Sequence, residues 1–177
     1  MKPELKYGLL SGAGISLWIA LEYLLGFHTT RPDLGVYTGL LSNLIPLTML
    51  FLLLRTKRAA LYDGRLSLGT GIGSGVVASF IAALLIYSFL VSYSRLINPT
   101  WIEQALELKV TQWRAQQLAE TAIQEKITLY RQAYSPVGLV ATIIVGMTLM
   151  GGLFSLGLTL LVRQLPHRVF RPNRPLA

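Results

Sequence analysis

Cysteine is absent from this chain of 177 residues, which excludes disulfides, iron–sulfur clusters and thiolate metal sites. Charge is scarce as well: 14% of residues are Asp, Glu, Lys or Arg, against about 25% in an ordinary soluble domain. Acids are half as numerous as bases, 8 against 16, and only two histidines occur. With 53% hydrophobic residues, a soluble chain of this length could not hide its apolar surface. Lipid must do so instead.

Four long apolar runs are present, each of the length that crosses a hydrocarbon core of about 30 Å as a helix. The fold class expected is all-α: a polytopic membrane protein forming one membrane domain over residues 1–177, with spans at 7–27, 34–54, 66–93 and 136–162. A helical segment at 98–134 separates the third span from the fourth, and a basic tail follows at 163–177. The first run is too long for the apolar centre of a secretory signal, so it is taken as a span. Gly8 and Gly12, near its start, are a small-xxx-small pair that lets another helix approach closely.

Between the first two spans, Arg31-Pro32-Asp33 predicts a helix stop followed by an aspartate cap. Pro46 inside the second span predicts a kink near Asn43, one turn earlier. Arg55, Lys57, Arg58 and Arg65 form a basic connector with an Asp63-Gly64 turn signal. In the third span Ser67, Gly71, Gly75 and Ser79 recur every four residues as a thin stripe of small side chains. Gly151, Ser155 and Thr159 make a second stripe in the fourth span that could face the first. Pro136 suits the first turn of that last span.

The polar stretch from Ser94 to Ser135 holds half of the acids. Its helix begins near residue 100, either with Asn98 as cap and Pro99 behind it or with a Thr100/Glu103 capping box. Ile102, Leu106, Val110 and Trp113 form one apolar stripe and Ala119, Ile123, Ile127, Tyr130 and Tyr134 another. Register is lost at Gln116-Gln117, where a break is expected. Two helices follow, either as an antiparallel pair or lying along the leaflet with Trp101 and Trp113 at the headgroups.

The same order of features resembles a bacterial membrane family known as domain of unknown function 4199. The resemblance is carried by Lys6-Tyr7-Gly8, by Tyr62-Asp63-Gly64-Arg65-Leu66-Ser67-Leu68-Gly69 ahead of the glycine-rich span, by Ile97-Asn98-Pro99-x-x-Ile102-Glu103 and by Ser135-Pro136-x-Gly138. Many members carry aspartate where Asn98 stands; asparagine keeps the capping role without the charge. What the resemblance implies is a four-helix inner-membrane protein, often of Bacteroidota-type bacteria. It brings no known activity.

Orientation follows from the cations. Ten of the 16 lie in the terminal segments and the 55–65 connector, so the positive-inside rule predicts a multi-pass protein of the bacterial inner membrane with both termini cytoplasmic. The 98–134 segment is then extracytoplasmic. Anionic lipids at the cytoplasmic face account for the basic connector and tail, and nucleic acid is not expected as a partner.

Glu22 is the sharpest candidate for chemistry, being the only acid inside a predicted span. One reading makes it a proton- or cation-binding site with Asn43 or Tyr87. The reading favoured is an interfacial carboxylate one turn from the span's outer end, paired with His28 or Arg31. The glycine-rich run does not fit a phosphate loop, because no lysine follows Gly75, nor a nucleophile elbow, because Ile72 and Val76 flank the Gly73-Ser74-Gly75 triplet. His28 and His167 fall on opposite faces and cannot share a metal. No cofactor and no enzymatic activity are expected. The function anticipated is a non-catalytic membrane protein, an accessory or interaction subunit that meets other membrane proteins or itself through its small-residue stripes and outer helices. The alternative is a small oligomeric ion or solute channel or transporter using Glu22.

Overall fold

A computed structural model describes residues 1–28, 31–61 and 64–166. The expected Asp33 cap, the Asp63 half of the connector turn and the tail from His167 onward fall outside the described residues and side chains. Among the described residues the chain is helical, and four helical stretches are long and apolar enough to cross a membrane: Pro3–Leu24, Tyr37–Ala59, Leu68–Ile97 and Pro136–Gln164.

Helix α1 (Pro3–Leu24) starts four residues earlier than the apolar run, because Pro3 sits at the first turn, where its missing N–H costs nothing. It ends where Gly26 takes φ 77°, and the Phe27 N–H closes back on the Glu22 carbonyl at 2.8 Å. The second span is two helices, α2 (Pro32–Leu41) and α3 (Leu44–Ala59), parted at Ser42–Asn43. Pro46 has no N–H to give to the Ser42 carbonyl, and Asn43 turns its amide onto the Leu40 carbonyl at 3.1 Å.

Helix α4 (Leu68–Ser92) is capped by the Ser67 hydroxyl, which accepts from the Thr70 N–H at 3.1 Å. It continues into a π-helical turn, Tyr93–Ile97. Helices α5 (Trp101–Ala115) and α6 (Glu120–Ala133) follow as an antiparallel hairpin. Its turn places Gln117 at φ 56°, a left-handed backbone, at the point where the apolar register is lost. Arg114 pairs with Glu120 next to the turn and Arg131 with Glu103 at the far end, both at 3.2 Å, which sets the two helices side by side. Thr100 precedes α5, yet its hydroxyl meets the Asn98 side chain at 3.3 Å rather than capping the helix. The last span is a short α7 (Pro136–Leu139), a π-helical stretch (Val140–Gly146) and α8 (Met147–Gln164), with Ser135 capping through the Gly138 N–H at 3.1 Å.

The spans form a ring in which α4 packs along α1 and α8, and α3 closes the other side against the same two helices. Small residues set the spacing. A Cβ at Gly8 would stand 2.7 Å from the Ala78 carbonyl oxygen and one at Gly12 2.9 Å from the Leu85 Cβ, so only glycine lets α1 lie this close to α4. Buried leucines fill the centre near α3: Leu53 and Leu54 from that helix, with Leu66 and Val162 beside them.

The end of the bundle near the chain's N-terminus is tied by cations. Lys57 forms an ion pair with Glu4 and donates to Ser74 Oγ at 2.7 Å. Arg58 donates to the carbonyls of Val162 and Leu165 at the end of α8, and to that of Gly64 at 2.9 Å. Arg163 donates to the Leu66 carbonyl at 2.7 Å. These guanidinium groups donate to carbonyls at a helix end or a turn, and a cation at the end of α8 also suits the helix dipole.

Candidate functional site

The polar chemistry of the interior gathers at the opposite end, where α1, α4 and the last span meet the α5–α6 hairpin. Glu22 lies in the last turn of α1 with 6% of its surface exposed. Its Oε1 accepts from Trp18 Nε1 at 2.8 Å, one helical turn back, and its Oε2 lies 3.4 Å from His28 Nε2. Trp18 Nε1 also reaches the Thr38 carbonyl of α2 at 3.2 Å. The other ring nitrogen of His28 meets the Tyr93 hydroxyl at 2.8 Å, and Asn98 Nδ2 approaches that hydroxyl at 3.5 Å. Tyr93 is 1% exposed and Asn98 is buried.

Glu22, His28, Tyr93 and Asn98 are therefore one chain of hydrogen bonds joining α1, the loop after it and the π-helical turn below α5. A carboxylate, an imidazole and a phenol in this order can pass a proton in principle. Here both Glu22 oxygens and the Tyr93 hydroxyl are already engaged inside the protein, so the arrangement acts as a buried polar clasp.

Of the residues that sequence reasoning singled out around Glu22, His28 is the one brought to it. Asn43 turns its amide onto the Gly39 and Leu40 carbonyls of α2. Tyr87 packs against the apolar cluster of Ala83, Ile86, Leu139 and Ile143. Among the described residues neither forms a hydrogen bond to Glu22. The two small-residue stripes are brought face to face. A Cβ at Gly71 would overlap the Thr159 side chain, one at Gly75 that of Ser155, and one at Gly151 that of Ser79. Ser67, at the head of the first stripe, is occupied as the cap of α4.

Above the clasp, the hairpin covers a cavity of about 660 Å³. Its floor and walls include Leu139, Thr142 and Ile143 of the last span and Leu90 and Tyr93 of the third, while α5 and α6 supply the far side. Both π-helical stretches contribute to it, through Tyr93 and through Thr142 and Ile143. Widened turns of this kind often mark functional positions, because the extra residue re-aims the side chains. Aromatic rings line one side in edge-to-face contact: Tyr93 against Trp101 at 6.1 Å between centroids, and Trp101 against Tyr134 at 5.3 Å. Tyr130 packs on Tyr134 at 4.5 Å, and burial pushes its phenol above the usual tyrosine range.

Sequence reasoning missed this cavity. Of the two arrangements expected for 98–134, the antiparallel pair is the one formed; within it Trp101 is wedged between Tyr93 and Tyr134, while Trp113 carries Lys126 over its ring at 5.6 Å. A partial signal was present in the Tyr130/Tyr134 spacing, which stacks two rings on one helix face. Nothing local announces that Lys109 or Thr142 shares a space with them. Among the described residues no group of three His, Asp or Glu is placed to hold a metal ion.

A family model described as "Protein of unknown function (DUF4199)" matches residues 6–164. The chain belongs to the DUF4199 family. That match takes in the last three spans, all but the first three residues of α1, the clasp and the hairpin, so the site described above is built wholly within the DUF4199 region. Searches of the curated proteins and of the solved structures found no match to this DUF4199 chain.

Proposed function

We propose that this DUF4199 protein is a non-catalytic protein of the bacterial inner membrane, with both termini in the cytoplasm, acting as an accessory or interaction subunit through its α5–α6 hairpin. The observation that carries this reading is where the small residues are used. The stripes of α4 and α8 close on one another, so they hold the bundle together and leave the hairpin as the elaborated surface. Glu103, Glu107, Glu120, Glu125, Lys126 and Arg131 are exposed there, a mixed-charge face of the kind that selects partners by complementarity. The cations near the chain's N-terminus, among them Arg55, Lys57, Arg58 and Arg163, support the orientation, since cytoplasmic ends of spans attract Lys and Arg.

Extraction in mild detergent followed by sizing tests the accessory role. A complex larger than one chain, reduced when Glu107, Glu125 and Lys126 are replaced by alanine, is the expected result. A lone monomer without any co-purifying partner counts against it. The alternative of a small channel or transporter rests on Glu22, whose oxygens are both engaged by Trp18 and His28. Unchanged flux in vesicles carrying Glu22→Gln removes its motive.

A further inference from the structure

At the end of the bundle opposite the clasp, Arg58, Arg65 and Arg163 line one open pocket of about 520 Å³, together with Gly64, Leu66 and Ser67. Among the described residues that line it there is no acid. Asp63, in the turn just before, is the nearest acid in the sequence, and counting it still leaves three guanidinium charges against one. Two of the three arginines are anchored on main-chain carbonyls. Arg58 uses Nε on Gly64 and Nη1 on Val162 and Leu165, which among the described residues leaves the two N–H groups of Nη2. Arg163, in the last turn of α8, uses Nε alone, on Leu66 at 2.7 Å, and keeps four. Arg65 and Arg163 are exposed and Arg58 is half-buried.

A loose arginine gives up rotamer freedom when it binds; one already tied through its own Nε has given up much of it beforehand. The donors of this pocket are in that sense organised in advance. Helix poles do not cancel its charge. The C-terminal end of α8, which Arg58 covers, is offset by the N-terminal end of α4, whose cap Ser67 is part of the pocket wall. A guanidinium only donates and stays charged, so the unused N–H groups call for anionic oxygens. A carboxylate brings two such oxygens and one charge, whereas a phosphomonoester brings three and nearly two charges, the better match to three guanidinium groups. We propose that Arg58, Arg65 and Arg163 form a binding site for the phosphate group of a phosphomonoester. The pocket lies where α3 and α8 end and α4 begins, so a lipid headgroup and a free phosphate ester both have access to it. This site goes beyond the accessory role and does not depend on which face of the membrane the termini occupy.

The test uses the full chain, delipidated in a neutral detergent. Native mass spectrometry follows dioleoyl phosphatidic acid, dioleoylglycerol, which has the same chains without the phosphate, and oleate; calorimetry follows glycerol 3-phosphate. A saturable one-to-one adduct with phosphatidic acid is expected, at least about tenfold tighter than either other lipid, the scale of one charge-assisted contact. Arg65→Gln and Arg163→Gln should each weaken it about tenfold. Arg163→Lys, which keeps the charge and loses the fork, should recover only part of that loss. Arg55→Gln removes an exposed cation of the same end that does not line the pocket, and should leave binding unaltered. Glycerol 3-phosphate binding with the same dependence on Arg163 supports a free phosphate ester as the ligand, and binding of phosphatidic acid alone supports a lipid headgroup. Equal binding of phosphatidic acid and dioleoylglycerol overturns the site. Oleate as tight as phosphatidic acid overturns the assignment to phosphate. A loss in Arg55→Gln as large as in Arg163→Gln, or no loss in Arg65→Gln and Arg163→Gln with circular dichroism confirming the fold, overturns the pocket.

Discussion

Gly75 of α4 and Ser155 of α8 lie so close that the two helices would collide if Gly75 carried a single methyl group. The same relation recurs one turn away in each direction, between Gly71 and Thr159 and between Ser79 and Gly151. Lipid tails are as apolar as leucine, so burying leucine gives spans no reason to associate; close backbone packing does.

Gly75→Ala should therefore destabilise the protein by about 1–3 kcal/mol, the usual cost of overpacking a filled site. Combining it with Ser155→Gly should recover part of the loss, because the added methyl then has room. Gly73→Ala is the contrast: nothing lies within 4 Å of its Cβ position, so the substitution should be neutral or stabilise by up to about 1 kcal/mol. Thermal unfolding in one detergent, followed by circular dichroism, ranks the four proteins.

Tyr93→Phe should loosen the clasp. It leaves a ring nitrogen of His28 and the amide of buried Asn98 without their shared partner, and unpaired buried polar groups cost about 1–3 kcal/mol. Glu22→Gln should cost less, since the amide oxygen still accepts from Trp18 Nε1. Hydrogen exchange localises the effect: amides around 22–28 and 93–101 should lose protection first in Tyr93→Phe, while those of α3 keep theirs.

Tyr130 gives a pH dependence. Its phenol titrates at higher pH in the folded protein than in the unfolded chain because burial disfavours the charged form. The folded state thus binds the proton more tightly: this contribution is intact below about pH 10, the free tyrosine value, and is lost as the pH rises past it. Stability should fall above about pH 10, and Tyr130→Phe should flatten that fall. Absorbance titration of the phenolates, compared between the two proteins, identifies the late-titrating group.

The absence of cysteine supplies a clean background for testing orientation. Lys126→Cys, on the exposed face of α6, should react with a membrane-impermeant maleimide on intact spheroplasts. Arg55→Cys, at the other end of the bundle, should react only after permeabilisation. Labelling in the reverse order overturns the cytoplasmic assignment of the termini.

Much of the fold is a local property, and the sequence carried it. Whether a run of residues enters lipid depends on its own hydropathy, so four spans are legible one at a time. Breaks are local too: Asn43 with Pro46, Ser67 ahead of the glycine-rich span, and Gln116-Gln117 each act through backbone groups a few residues away. Glu22 stood out because a carboxylate in an apolar run needs a partner nearby, and His28 lies six residues on. Tertiary structure decided what depends on distant segments meeting. Tyr93 joins His28 across 65 residues, and the cavity takes Ile19, Tyr93, Lys109, Tyr134 and Ile143 from five separate stretches. The π-helical turns that aim Tyr93 and Ile143 arise where helices must fit one another, and no residue type signals them. A composition can state which surfaces need covering; only packing states which groups cover them and what space is left between.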